Sequence, residues 1–132
     1  MKLKEETWAA GGRISEEEKA ELAKPFTMQE IESSLAEMRK NTAPGPDGFS
    51  VQFYKEFWPK VKGLVKEMLD DLHADKLNLG RLNYGVITLI PKIKDANVIK
   101  QYRPICLLNV IFKIVTRVLM CRLSKVADKV VH

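Results

Sequence analysis

The sequence predicts an α+β, helix-dominated domain with one short basic β-hairpin late in the chain. Three observations carry that expectation. Apolar residues recur at three- and four-residue spacing in three separate stretches, around Ile31, Val65 and Ile114. One run, Val86-Ile87-Thr88-Leu89-Ile90, is β-branched and too short for a helix. Between helical stretches lies Ala43-Pro44-Gly45-Pro46-Asp47-Gly48-Phe49, whose prolines and glycines exclude helix and central strand and leave a stiff, shaped loop.

Residues 1–26 read as a linker, poorly ordered or partly helical. Gly11-Gly12 breaks any pattern, and Ser15-Glu16-Glu17-Glu18-Lys19 is charged with little to bury. The first well-signalled helix starts at Thr27. Thr27 and Glu30 fit a capping box, Phe26 and Ile31 the flanking hydrophobic staple, and Ile31, Leu35 and Met38 one apolar stripe that fades by Lys40 or Asn41. After the Pro/Gly loop a short helix carries Phe53, Tyr54, Phe57 and Trp58, and Pro59 either kinks it or opens a new helix. Val61, Leu64, Val65, Met68, Leu69 and Leu72 form the next stripe, a core face. Asp70 and Asp71 are neighbours in that helix, point apart, and read as a solvated edge.

Asn78 to Gly85 is a connection. The run from Val86 to Ile90 is expected to be a largely buried strand that Pro91 ends. Lys94-Asp95-Ala96-Asn97 reads as a turn, and Tyr102 to Leu107 as a second extended piece, where Pro104 demands an edge or strand-end position. A final helix from about Asn109 has Ile111, Ile114, Val115, Val118, Leu119, Leu123 and Val126 on its buried side, with Lys113, Arg117, Arg122 and Lys125 near or between them.

A chain of 132 residues is one domain or a piece of one, and 45% hydrophobic residues suffice for a core. Its 22 basic and 17 acidic side chains give a net charge of +5, which permits a polyanionic partner without requiring one. Cys106 and Cys121 have neither metal spacing nor a Cys-x-x-Cys pairing, and read as reduced, core-side thiols. No apolar run is long enough to span a bilayer, and Met1-Lys2-Leu3-Lys4-Glu5-Glu6 lacks the apolar segment of a secretory signal. The expectation is an intracellular protein, nuclear or cytoplasmic, with no membrane partner.

Lys92 and Arg103 are the candidate site residues. If the chain reverses near Ala96 to Val98, the two fall roughly opposite each other. Like charges across a ladder cost about 0.2–1 kcal/mol unless an anion lies between them. A guanidinium grips phosphate oxygens in a bidentate way and an ammonium acts as a movable point charge, so a triphosphate suits the pair. From residue chemistry alone, two solvated cations on an ordinary hairpin is the commoner outcome. The basic side chains of the final helix fit a nucleic-acid backbone or, more commonly, a solvated face. Phe53, Tyr54, Phe57 and Trp58 fit core packing better than base stacking.

Residues Thr27 to Val131 resemble the opening part of the reverse transcriptase domain of plant LINE-type (non-LTR) retrotransposons. The carriers are Pro25-Phe26-Thr27, the Ala43 to Phe49 loop, Phe53-Tyr54 with Phe57-Trp58, Leu89-Ile90-Pro91-Lys92, Tyr102-Arg103-Pro104-Ile105-Cys106-Leu107-Leu108-Asn109 and Val110-Ile111-Phe112-Lys113-Ile114. Each is weak alone; their order over about four-fifths of the chain is specific. The resemblance implies the fingers and first edge of the palm of a right-hand polymerase over residues 27–132. It implies triphosphate contacts from Lys92 and Arg103, and a template-proximal loop at Pro44, Gly45, Pro46, Asp47 and Gly48. Its partners would be an RNA or DNA template-primer and a deoxynucleoside triphosphate.

Such an enzyme works through two divalent cations, Mg2+ in the parent family, held by carboxylates of a Phe-x-x-Asp-like motif and an Ala-Asp-Asp hairpin. Neither motif occurs before His132, so the expectation is a truncated fragment without thumb, remaining palm, metal site or catalytic residues, inactive alone and requiring no cofactor itself. Two other classes stay open: a small basic nucleic-acid-binding module, and a helical interaction domain whose stripes meet a partner helix.

Overall fold

Helix starts in this chain are set by short polar side chains that take over orphan backbone N–H groups. In the computed structural model, which describes residues 14–130 apart from the side chains of Arg81 and Val130, Ser15 caps α1 (Glu16–Leu22) and Thr27 caps α2 (Met28–Glu37). Ser50 caps α3 (Val51–Glu56). At α2 the box closes in both directions: Glu30 N donates to Thr27 Oγ1 at 3.2 Å and Thr27 N donates to Glu30 Oε2 at 2.8 Å. Pro59 lies in the first turn of α4 (Trp58–His73), where its missing N–H costs nothing, so it opens a helix rather than kinking one. Asn78 caps a single turn, α5 (Leu79–Leu82), inside the segment read as a connection. The Gly11-Gly12 break lies outside the described residues.

The long helix α6 (Val110–Val130) is the spine. Its Val110, Ile114, Val115 and Val118 meet Ile31 and Leu35 of α2, Val51 and Tyr54 of α3, and Val65 and Leu69 of α4 in one apolar core, with Phe26 at its margin. Two stripe residues leave that core. Leu64 is 68% exposed: at 100° per residue it lies at the far edge of the α4 stripe, away from Val65 and Leu69. Leu123 is 56% exposed, because Arg122 takes the inward position one residue earlier on α6.

Arg122 is buried, and its guanidinium is fully occupied. Nε donates to Glu30 Oε1 at 2.7 Å and Nη2 to Glu30 Oε2 at 2.8 Å, a bidentate pair. Further donations reach the carbonyls of Pro25 at 2.7 Å, Leu22 at 3.3 Å and Lys24, and the guanidinium lies 4.2 Å over the Phe26 ring. One side chain thus ties the α1–α2 link and the first turn of α2 to α6. The hydrogen bonds from Arg122 hold the Glu30 carboxyl down to about 2.

The remaining structure is an antiparallel hairpin of β1 (Gly85–Pro91) and β2 (Tyr102–Leu108), in register from Gly85 opposite Leu108 to Pro91 opposite Tyr102. The expected burial of β1 does not occur: no residue of either strand is buried, and Ile87 is 71% exposed. The helices close their core on one another, so the two-stranded sheet has no layer against it. Cys106 follows β2 into solvent and Cys121 is half-buried, so the expectation of two core-side thiols fails at Cys106; both are free. Pro104 sits in mid-strand opposite Leu89. Lys92 N donates to Gln101 O at 2.7 Å, which fixes the ladder parity and turns the nitrogen of Pro104 away from β1. Of the two positions expected for this proline, the structure takes the open edge.

Stability carried by Glu30 is present in full above about 4.5, its ordinary value, and is lost as pH falls toward about 2. Urea titrations between pH 5 and pH 2.5 should show the wild type losing that advantage over Glu30→Gln. Equal slopes would deny the clamp its role. At neutral pH, Arg122→Ala should cost about 3 kcal/mol, the low end for a broken buried pair because Glu30 keeps some solvent contact.

Candidate nucleic-acid interface

The Pro/Gly loop is built against the start of α6. Gly48 N donates to Gly45 O at 3.0 Å across a turn, and Gly48 takes a left-handed φ of 76°. Asp47 Oδ1 accepts from Phe49 N at 3.0 Å, an Asx turn. Two α6-side residues pin the loop from outside. Asn109 Oδ1 accepts from Asp47 N at 3.2 Å, and Lys113 Nζ donates to Ala43 O at 3.3 Å. Gly45 is required by contact: a Cβ there would come within 2.4 Å of the Asn109 backbone nitrogen. Asp47 and burial together raise the Tyr54 hydroxyl above its ordinary value, burial being the larger cause.

At the far end of the hairpin, residues 92–101 form a tip braced by its own side chains. Gln101 Oε1 accepts from Asn97 N at 2.8 Å and from Val98 N at 3.2 Å, while Tyr102 Oη donates to Ala96 O at 2.8 Å. Asp95 turns the chain with a φ of 61°. Lys92, Lys94, Lys100 and Arg103 all lie on or beside this tip, with Asp95 the one carboxylate between residues 92 and 103.

The register refines the expected opposition of Lys92 and Arg103. Arg103 pairs with Ile90, and Lys92 faces Gln101 just past the strand, so the two cations are diagonal, offset by two residues. Their parity puts them toward one face of the ribbon. Lys92 Nζ donates to Lys100 O at 3.0 Å; Arg103 is exposed and has no ion-pair partner among the described residues. The loop and the cations are not brought together. Six residues of extended chain separate Arg103 from Asn109, about 20 Å.

Four of the five basic residues of α6 are occupied by other groups; Lys125 is the exception, exposed and without an ion-pair partner among the described residues. Arg117 pairs with Glu37 at 2.5 Å, Lys129 with Glu18, and Arg122 with Glu30. Lys113 is spent on the loop carbonyl. The aromatic cluster behaves as expected in part. Tyr54 is buried and Trp58 is half-buried, its Nε1 donating to Glu32 at 2.9 Å. Phe57 is exposed, against Phe53 with ring centroids 5.0 Å apart. Asp70 is exposed and paired with Lys66 at 2.5 Å along the helix. Among the described residues no three His, Cys, Asp or Glu side chains cluster to hold a metal ion, and no helix is long and apolar enough to cross a membrane.

Over 129 residues the chain is 33% identical to the transposon TX1 uncharacterized 149 kDa protein of Xenopus laevis, an alignment taking in 97% of this chain and 10% of that protein. The chain is related to a transposon protein. It spans about a tenth of the length of the curated relative it matches. No family model matches the chain.

Asn109 is the positioning residue that motif reading passed over. Its place in Leu107-Leu108-Asn109 was visible, but the 62-residue reach back to Asp47 was not. The one available signal was a polar residue just ahead of an apolar helix, which reads as a helix start rather than as a loop anchor. The same substitution should therefore have opposite signs at two glycines. Gly45→Ala should destabilise by about 1–3 kcal/mol through overpacking on Asn109. Gly63→Ala, where a Cβ meets nothing in mid-α4, should stabilise by about 0.5–1 kcal/mol. Thermal or urea unfolding of the two variants checks both.

Proposed function

We propose that this chain is the fingers-side portion of a transposon reverse transcriptase, with the first edge of its palm, and that it holds the triphosphate of an incoming nucleotide against the hairpin tip. The observation that carries the reading is the distribution of charge. The arginines of α6 are consumed by carboxylates, whereas the tip of a solvent-facing hairpin gathers Lys92, Lys94, Lys100 and Arg103 around a lone Asp95. A cluster of exposed cations with no ion-pair partner among the described residues sets up a positive potential that attracts a polyphosphate. The transposon relative and the ordered motifs Leu89 to Lys92 and Tyr102 to Asn109 support the same assignment.

In this reading Arg103 takes phosphate oxygens in a bidentate grip, and Lys92 swings from the Lys100 carbonyl to add a point charge. The Pro44 to Gly48 loop, about a hairpin's length away, supports the template side, its shape fixed by Asn109 rather than by the nucleic acid. In this reading the two Mg2+ ions of polymerase chemistry belong to the Phe-x-x-Asp-like and Ala-Asp-Asp motifs of the parent family, and Lys92 and Arg103 bind and orient the nucleotide. The chain alone is then expected to give no primer extension.

A small nucleic-acid-binding module is the second reading, and the same exposed tip favours it; with four of its five basic residues occupied, α6 offers little of an extended strand track.

Titration with a deoxynucleoside triphosphate distinguishes the assignments. Arg103→Ala should weaken binding by about 1–3 kcal/mol and Lys92→Ala by less, with both losses shrinking at high salt. Lys60→Ala, whose ammonium lies over Phe57 in α4, should leave it unchanged. Equal affinities for wild type and Arg103→Ala would return the tip to an ordinary solvated surface.

A further inference from the structure

The two outer edges of the hairpin are not alike. Because Lys92 N bonds to Gln101 O, residues 86, 88 and 90 direct their backbone groups to β2, while Gly85, Ile87 and Leu89 direct theirs outward. On β2 the outward set includes Pro104, which has no N–H to offer, in mid-strand. Proteins commonly block an open strand with proline or charge. The β2 edge is blocked in this way. The β1 edge has neither device until Pro91, at its end, and its outward residues include Ile87 at 71% and Leu89 at 47% exposure.

We propose that the β1 edge pairs with the β1 edge of a second copy of this chain, antiparallel and centred on Thr88. The strand is self-complementary in that register. Ile87 of each copy exchanges both backbone hydrogen bonds with Leu89 of the other, and their side chains cover one another on one face. Gly85 N–H finds the partner's Pro91 carbonyl, an acceptor that needs no proline N–H in return. Thr88 faces its own copy as a close, non-hydrogen-bonded pair. Charge selects the direction: antiparallel pairing sends the two basic tips to opposite ends, whereas parallel pairing would stack Lys92 and Lys94 on their equivalents. The product is closed. Its four strands run β2-β1-β1-β2, and Pro104 stands on both outer edges, so growth stops at the dimer. A pair of seven-residue strands falls short of a standard interface, so self-association at roughly tens of micromolar is expected.

Sedimentation equilibrium of the full chain from about 1 to 200 μM should show a monomer–dimer equilibrium. Ile87→Pro removes an outward N–H without touching the ladder to β2, and should weaken the dimer at least about tenfold. A crosslink keeps the test decisive if that variant misfolds. In a Cys106→Ser background, Thr88→Cys should give a disulfide-linked dimer under mild oxidation, while Val86→Cys, whose partner would be Ile90, should not. A strictly monomeric chain with no Thr88→Cys crosslink, or open-ended oligomers in place of a dimer, would overturn the proposal.

Discussion

A buried guanidinium has to be satisfied on every side, and that requirement at Arg122 organises the rest of the molecule. Two of its donors are fixed by the Glu30 carboxylate and the others by carbonyls of Leu22, Lys24 and Pro25. A lost partner would leave a charge stranded at low dielectric, so the geometry is strict. It sets how α2 lies along α6 and where α1 returns to it. With those two helices fixed, the Val110 to Val118 stretch of α6 meets α3 and α4 in one position, and the start of α6 is placed with it.

That start meets the loop and the base of the hairpin, whose basic tip lies at the other end. Asn109 joins β2 to α6 and also holds the Asp47 turn. The loop and the base of the hairpin therefore share a rigid anchor, while the tip extends into solvent beyond the helical core. The division has an electrostatic counterpart. Arg117, Arg122 and Lys129 are matched by Glu37, Glu30 and Glu18, and the cations at the tip have no ion-pair partner among the described residues. A core complete without the hairpin leaves the hairpin's apolar faces, edge and charges all available for recognition.

Most of the local structure was legible in the sequence. Thr27 with Glu30, the loop from Ala43 to Phe49 and both strands appear where residue chemistry puts them, while the choice between a kink and a helix start at Pro59 came from the structure. The misreadings have one cause. A stripe identifies an apolar side but not how far a neighbour covers it, so Leu64 and Leu123 were expected inside and lie outside. The exchange of Leu123 for Arg122 is a rotation of about 100°, invisible unless the carboxylate 92 residues away is known to be there. For the candidate site, Lys92 and Arg103 were legible as a pair on one hairpin, while their two-residue offset came from the ladder.

The chain by itself therefore determined what neighbours a few residues apart can decide: caps, breaks, helix and strand periods, the shape of the Pro/Gly loop and the concentration of positive charge after Lys92. Tertiary structure alone decided which apolar residues are covered, which cations find carboxylates, why Gly45 must lack a side chain, and that the β-branched strand stays exposed. The reason is physical. Backbone preference acts over single turns, whereas burial and charge pairing depend on which surface another part of the chain brings within a few ångströms.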